Sequence, residues 1–198
     1  MRITAIKQQV KDHSRYSIFI DEVFSFGLSE SALIESGITN GQEITEAELA
    51  VFKDNAEIDT AYNKTLGLIA RRLRSEWEIR DYLQRKQYDT EHIDQIIARL
   101  YKRSWLNDES FARMWVENRR LLKSASARRI MQELKAKHVS DEIIQKVLES
   151  DNNEDSEILT SLVERKRKQT RYQDDQKLLA YLVRQGYNYQ DVKSALSL

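Results

Sequence analysis

The chain has 198 residues with 32 Lys+Arg against 32 Asp+Glu, which is long enough for one or two domains and a real core. It has no cysteine, which excludes disulfides, thiolate metal sites and a cysteine nucleophile, and is consistent with a reducing compartment. The formal net charge of zero hides a division: residues 1–58 carry −5, residues 60–138 carry +8 and residues 140–198 carry −2, so the middle is suited to a polyanion or an acidic protein surface.

The first residues, "MRITAIKQQVKDH", lack the apolar run of a signal peptide, and no run of 18 apolar residues follows. The expectation is a soluble cytoplasmic protein without membrane association. "ITAI", "RYSIFI" and "VFSFGL" are β-branched and aromatic. Tyr16, Ile18 and Ile20 alternate, as do Phe24 and Phe26, which predicts strands with one face to bury. The last two should pair as a hairpin across Asp21 and Glu22, a turn without the usual glycine. Ser29 then reads as an N-cap and Gly37 as a left-handed stop, and "TEAE" from Thr45 to Glu48 is a capping box opening another helix.

From about residue 58 the periodicity is helical and repeats. Ile79, Leu83, Tyr88, Ile93 and Ile97 correspond to Ile130, Leu134, Val139, Ile144 and Leu148, and again to Leu178, Leu182, Tyr187, Val192 and Leu196. At each break an apolar residue precedes a small polar cap, with a second apolar residue five positions on: Tyr88-Asp89 with Ile93, Val139-Ser140 with Ile144, Tyr187-Asn188 with Val192. The cap satisfies an orphan N–H, and the two apolar residues clamp the entering chain. Ser75, Ser126 and Asp174 are caps for the preceding helix of each copy, and Ser75 with Glu78 has the capping-box spacing.

Leu66/Ile69/Ala70/Leu73, Phe111/Ala112/Trp115/Val116 and Ile158/Leu159/Leu162/Val163 add an amphipathic first helix to each copy, with longer connections to the second helix in copies two and three. The fold class expected is mainly α: three tandem three-helix repeats in an elongated curved solenoid, preceded by a small β-rich segment. The expected divisions are 1–57, 58–106, 107–151 and 152–198.

In "SWLNDESFARMW", starting at Ser104, Leu106 should close one repeat, Asn107 cap the next helix, Asp108 and Glu109 supply its acidic first turn, and Phe111 clamp back on Leu106. The stretch is therefore a joint and not an active-site loop. Trp77, Trp105, Trp115, Tyr62, Tyr82 and Tyr101 fit repeat-packing core better than base stacking, given their helical spacing.

Three segments carry a family resemblance: "LIARRLRSEWEIRDYLQRKQYDTEHIDQIIARL" (68–100), "WLNDESFAR" (105–113) and "RRIMQELKAKHVSDEIIQKVL" (128–148). With them the chain from about residue 58 resembles the RecX family of RecA-modulating regulatory proteins, and the β-rich front is similar to the amino-terminal extension of longer members. Arg74, Ser75, Glu78 and Ile79 meet the family's first-repeat signature; Leu106, Asn107, Asp108, Phe111 and Ala112 meet its second. Where members commonly carry glycines in the second repeat, this chain reads Lys123-Ser124-Ala125 and Lys135-Ala136-Lys137-His138.

The resemblance implies a non-enzymatic protein that binds RecA and lies along the groove of its filament on single-stranded DNA. There it would restrain ATP hydrolysis, strand exchange and the stimulation of LexA-type repressor cleavage, in DNA repair and the SOS response. The alternative is an α-solenoid adapter or non-specific nucleic-acid binder unrelated to RecA.

Basic clusters end the first helices at Arg71, Arg72 and Arg74, at Arg119, Arg120 and Lys123, and at Arg165, Lys166, Arg167, Lys168 and Arg171. Cations there complement the helix dipole, but their number exceeds what the dipole needs. Together with Arg113, Arg128, Arg129, Lys135 and Lys137, those of the first two repeats are the candidate RecA- or DNA-contacting surface. A sequence-specific helix-turn-helix reader fits poorly, because the third helices begin "TEHIDQ", "DEIIQK" and "YQDVKS", acidic where donors to bases belong. His13, His92 and His138 have no metal-ligand spacing, and no phosphate-cradling glycine loop or paired catalytic carboxylates stand out, so neither cofactor, metal nor catalysis is expected. Nothing in the sequence demands more than a monomer.

Overall fold

The computed structural model describes residues 1–151 and 154–197; Asn152, Asn153 and Leu198, at the two ends of the expected third repeat, lie outside the described residues. The chain is mainly helical with a small antiparallel sheet at its start, in the order β1 (Ile3–Gln8), β2 (Arg15–Ile20), β3 (Val23–Ser29), α1 (Glu30–Ser36), α2 (Glu46–Ile69), α3 (Glu76–Arg85), α4 (Thr90–Lys102), α5 (Asp108–Lys123), α6 (Ala127–Lys135), α7 (Asp141–Glu149), α8 (Asp155–Arg167), α9 (Asp175–Arg184) and α10 (Tyr189–Leu196). A 3-10 turn, Thr170–Tyr172, lies between α8 and α9. Two compact units result: one of Met1–Arg72 with Ile79–Trp105, the other of Leu73–Glu78 with Leu106–Leu198.

In the first unit β2 is the central strand. The β2–β3 hairpin turns through Asp21 (φ 47°) and Glu22 (φ 69°), both left-handed as a type I′ turn requires. The missing glycine is compensated by β1 and the residue before it: the Arg2 N–H donates to the Asp21 carboxylate at 2.9 Å, while Thr4 Oγ accepts the Glu22 N–H at 2.8 Å. Ile3, Ile18, Ile20, Phe26 and Leu28 pack with Ile38, Ile44 and Ala56 as a core, each large side chain stabilising by roughly 1.5–3 kcal/mol. Phe24 departs from the expected alternation. The register passes from Ile18↔Phe26 to Phe19↔Phe24, leaving Ser25 as an extra residue. This bulge turns Phe24 away from Phe26, so Phe24 is 55% exposed and meets Phe19 edge to face at 6.0 Å.

Ser29 caps α1 and Gly37 ends it in the left-handed region. Both arms of the Thr45–Glu48 capping box are present at the start of α2. That helix runs unbroken for 24 residues, so the expected division between residues 57 and 58 falls inside it. It buries Ala56, Ile58, Ala61, Tyr62, Thr65 and Ile69 and ends before Leu73, which packs instead against the core of the second unit.

The staples form. Ile93, Ile144 and Val192 are buried under the caps Asp89, Ser140 and Asn188, each of which accepts a backbone N–H of its helix. Leu106 and Phe111 are both buried beside the Asn107 cap of α5. Before each third helix the chain turns through a left-handed residue, Gln87 (φ 64°), His138 (φ 54°) and Gly186 (φ 93°). The N–H of the residue after it returns to Leu83, Leu134 or Leu182 at 3.2, 3.2 and 3.4 Å, the bonding of a Schellman cap. Ser124 is left-handed too, at φ 47°. The two second-repeat segments where the family resemblance leads to an expectation of glycine thus have the backbone that glycine suits, with Ser124 and His138 in it. Only three residues, 124–126, separate α5 from α6, fewer than expected, because α5 extends to Lys123.

The second unit contains one joint built twice. Ser75 Oγ donates to Lys137 O at 3.1 Å, and the Glu76 N–H donates to Asp108 Oδ1 at 2.8 Å. One repeat later Ser126 Oγ donates to Gln185 O at 3.1 Å, and the Ala127 N–H donates to Asp155 Oδ1 at 3.0 Å. In each case a helix-capping serine and the amide after it are bound to the corner and the first helix of the following triplet.

Candidate functional site

The candidate basic residues fall into two groups when their partners are traced. Arg71 and Arg72 belong to the first unit and the others to the second. Most of the second group is occupied within the fold. Arg120, at the end of α5, is 8% exposed; its Nε lies 2.7 Å from Asp151 and its Nη1 2.5 Å from Asp155 and 2.9 Å from Ala125 O. Burial disfavours the cation, but the hydrogen bonds it donates to Asp155 and Asp151 outweigh it and hold the guanidinium's pKa above its ordinary value. Asp155 binds the Ala127 amide at the same time. Arg120 is therefore a brace beneath the surface, not part of an exposed stripe.

Glu133 of α6 gathers a second set. It accepts from the Trp115 indole N–H at 3.0 Å, from Arg119 and from Arg129 at 3.2 Å. Burial opposes ionisation of this carboxyl, but the Arg119 hydrogen bond and charge prevail, with Trp115 and Arg129 assisting, and its pKa lies below the usual carboxylate range. The Arg119 guanidinium also lies over the Trp115 ring at 4.2 Å. Lys137 pairs with Glu78 at 2.7 Å, Lys135 with Asp141 at 2.9 Å and Arg113 with Glu109 at 2.7 Å. Glu78 N–H donates to Ser75 Oγ at 3.3 Å, the forward arm of the expected capping box. Arg72 and Arg74 each have an interaction partner in the fold.

What remains is small. Arg71, Lys123 and Arg128 are exposed, and their side chains have no hydrogen bond or ion pair among the described residues. In the third triplet Arg165 donates to Ser124 Oγ at 2.8 Å, Arg167 pairs with Asp175 at 2.5 Å, Lys166 lies over Tyr172 and Tyr181, and Arg171 lies over Tyr172.

The aromatic residues divide likewise. Tyr62 is buried as expected, whereas Trp105 (52%) and Tyr101 (41%) are exposed, so these two are not the packing core that their spacing predicts. Trp77 lies at the surface with its ring stacked on His138 at 4.8 Å. His92 is held by Asp54 at 2.8 Å.

A polar centre that the sequence reading missed is Asp59, 2% exposed on α2. It accepts the Ser29 N–H at 2.8 Å and hydroxyl at 2.6 Å and the Asn63 amide at 2.9 Å, with Arg15 3.6 Å away. Its donors are fully accounted for by the seam between β3 and α2, so it is structural. The only signal in the sequence was an acid on the apolar face of Ala56, Ala61 and Tyr62.

No helix among the described residues is long and apolar enough to cross a membrane. Three family models match: the RecX N-terminal domain over residues 1–45, the first RecX three-helix domain over 61–100 and the second over 107–148. The chain is 31% identical over 200 residues to the regulatory protein RecX of Listeria welshimeri serovar 6b, covering 98% of this chain and 74% of that one. It is 32% identical to the regulatory protein RecX of Caldanaerobacter subterraneus subsp. tengcongensis, covering the full length of both. A crystal structure of regulatory protein RecX superposes with a TM-score of 0.76 at 22% identity, covering 100% of this chain and 99% of that one. RecX from Lactobacillus salivarius gives 0.60 at 20% identity, covering 71% of this chain and 95% of that one. Joined to the repeated joints and to the signatures at Arg74–Ile79 and Leu106–Ala112, these likenesses establish that the chain belongs to the RecX family of regulatory proteins.

Proposed function

We propose that the protein is a non-enzymatic cytoplasmic regulator that binds RecA and the RecA filament on single-stranded DNA and lowers its ATPase, strand-exchange and co-protease activities. The observation that carries the reading is membership of a family of regulatory proteins over the whole chain. Tandem three-helix segments suit a filament, because successive modules offer successive contacts to a repeating partner. The divisions 58–106, 107–151 and 152–198 are proposed as those modules, with residues 1–57 as a further contact or a brace.

The contact surface is proposed to be narrower than the basic composition suggests. Arg71, Lys123 and Arg128 keep their charge for a partner. Arg119, Arg129, Lys135, Lys137 and Arg113 contribute through pairs that exchange, and Arg120 only through folding. The acidic starts of the third helices, Glu91, Asp141 and Asp191, favour contact with protein over insertion into a DNA groove.

The test is RecA-catalysed ATP hydrolysis on single-stranded DNA, titrated with this protein at substoichiometric ratios. Hydrolysis should fall in proportion to filament occupancy. Unchanged hydrolysis while cosedimentation shows the protein bound would overturn the inhibitory reading. Binding to bare DNA as tight as binding to the filament, and weakening steeply with salt, would replace it with general nucleic-acid binding.

A further inference from the structure

The two joints of the second unit are alike in backbone and different in what they leave at the surface. At the first, the Trp77 ring covers His138 at an interplanar angle of 19°, and the Glu78 carboxylate neutralises Lys137 at 2.7 Å. One repeat later the same positions hold Arg128 for Trp77, Arg129 for Glu78, Gln185 for Lys137 and Gly186 for His138. The ring pair and the ion pair are both gone, and two guanidinium groups stand in their place.

The corner at Gly186 is pressed against α6. A Cβ there would lie 2.4 Å from Ser126 Oγ and 2.7 Å from Arg129 Cβ, so this corner carries no side chain to cover the arginines. A cleft of about 400 Å³ opens along it, with Arg128, Arg129, Arg184, Val183 and Tyr189 in its wall and no carboxylate in its lining. Arg129 is shared with Glu133 at 3.2 Å and donates to Arg184 O at 2.5 Å. Arg128 and Arg184 have no side-chain partner among the described residues. Tyr189 is 52% exposed and Val183 39% exposed.

We propose that this cleft between α6 and the α9–α10 corner is a docking site for a short acidic segment of a partner protein, anchored by an aromatic or large apolar side chain. Two unpaired guanidinium groups beside exposed apolar surface match carboxylates that flank such an anchor. The first joint shows the same position of the repeat already taken by a ring stack. On the other side of Arg128 the adjoining hollow is lined by Asp155 and Asp191. A phosphodiester strand continuing past the arginines would run into those carboxylates, whereas a peptide need place only one or two acids against the cations.

The inference rests on the reading that this protein acts by binding a protein. Its test is therefore kept separate from RecA. The isotope-labelled full chain is titrated with a fluorescein-labelled twelve-residue peptide of Asp, Glu and Ser with one central Trp. Parallel arms use the same peptide with Lys for the acids, and oligo-dT of twelve nucleotides. The acidic peptide should saturate, with amide shifts centred on Arg128, Val183, Arg184 and Tyr189 and none from the Lys peptide. Arg128→Glu with Arg184→Glu should weaken it at least about tenfold, and Tyr189→Ala, which keeps both cations, should weaken it several-fold while leaving the melting temperature unchanged.

Shifts mapping elsewhere, indifference to the double charge reversal in a folded variant, or tighter binding of oligo-dT at the same residues would overturn the proposal. Cosedimentation of the wild-type chain with RecA filaments runs alongside. Peptide docking without filament binding refutes the RecA reading and sustains the cleft; filament binding undiminished by the double reversal, with no peptide docking, refutes the cleft alone.

Discussion

Nε of Arg120 lies 2.7 Å from a carboxylate oxygen of Asp151, with the two side chains only 8% and 6% exposed. A charge pair taken that far out of water is costly to assemble and more costly to halve. Arg120→Ala, which leaves both Asp151 and Asp155 without their cation, is expected to destabilise the second unit by about 3–5 kcal/mol. Arg120→Lys should lose part of this, since one ammonium does not reproduce the fork that reaches two carboxylates and Ala125 O. Urea denaturation followed by circular dichroism measures both. A loss of regulation without loss of stability would instead make Arg120 a contact residue.

Asp108 gives a pH dependence. Its carboxyl is pushed above the usual range, chiefly by burial, with Glu76 and Glu78 adding repulsion and the hydrogen bond from the Glu76 N–H opposing them. A carboxyl raised in the folded state contributes stability that is full below its unfolded pKa and is lost as pH rises through the folded value. Asp108→Asn keeps an acceptor for the Glu76 N–H and removes the charge. The variant should therefore gain stability relative to the parent between about pH 3 and pH 7, whereas Asp108→Ala should lose roughly 1 kcal/mol. Melting curves across that range decide it, and an Asn variant that falls progressively behind with rising pH would contradict it.

The joint at Ser126 is a second stability prediction. Its hydroxyl donates to Gln185 O and accepts the Arg129 N–H at 3.2 Å, closing a helix cap and an inter-helix bond with one atom. Ser126→Ala is expected to cost about 1–3 kcal/mol. Gly186→Ala should cost at least as much, since φ is 93° and the added carbon would sit 2.4 Å from that same hydroxyl. Because the two act on one contact, the double variant should lose less than the separate losses added together.

Gln87 and His138 occupy the same left-handed corner with different surroundings. Gln87 is exposed, so Gln87→Gly should stabilise by about 1 kcal/mol through relief of the left-handed backbone. His138→Gly gains the same relief but forfeits the Trp77 stack, worth about 0.5–1.5 kcal/mol, and should be close to neutral. Thermal melts of the two single variants test the difference. Equal stabilisation of both would show that the ring pair contributes nothing.

Local features were legible from residue types and spacing. The caps Ser29, Thr45, Asn107, Ser126 and Asn188 and the staples were readable, because each involves groups a few residues apart whose chemistry has one local solution. The continuous α2 was not, because nothing between its Thr45 cap and Ile69 distinguishes one long helix from two short ones. Phe24 was misplaced for a similar reason: a one-residue bulge has no signature in an alternating pattern, yet reverses every side chain beyond it.

By itself, the sequence determined the helix-rich repeating architecture and the positions of its corners, since these follow from periodicity and capping chemistry encoded within short windows, while the motifs at Arg74–Ile79 and Leu106–Ala112 carried the family resemblance. Only the tertiary structure decided which of the many cations remain available. Whether an arginine faces a partner or a carboxylate of its own chain depends on pairs such as Arg120 with Asp151 and Arg119 with Glu133, brought together by packing and invisible to composition. The same folding step made Asp108 a binder of the Glu76 amide as well as an acidic first-turn residue. It also closed one joint with an aromatic pair and left the equivalent joint lined by unpaired arginines, although both are built on the same serine cap.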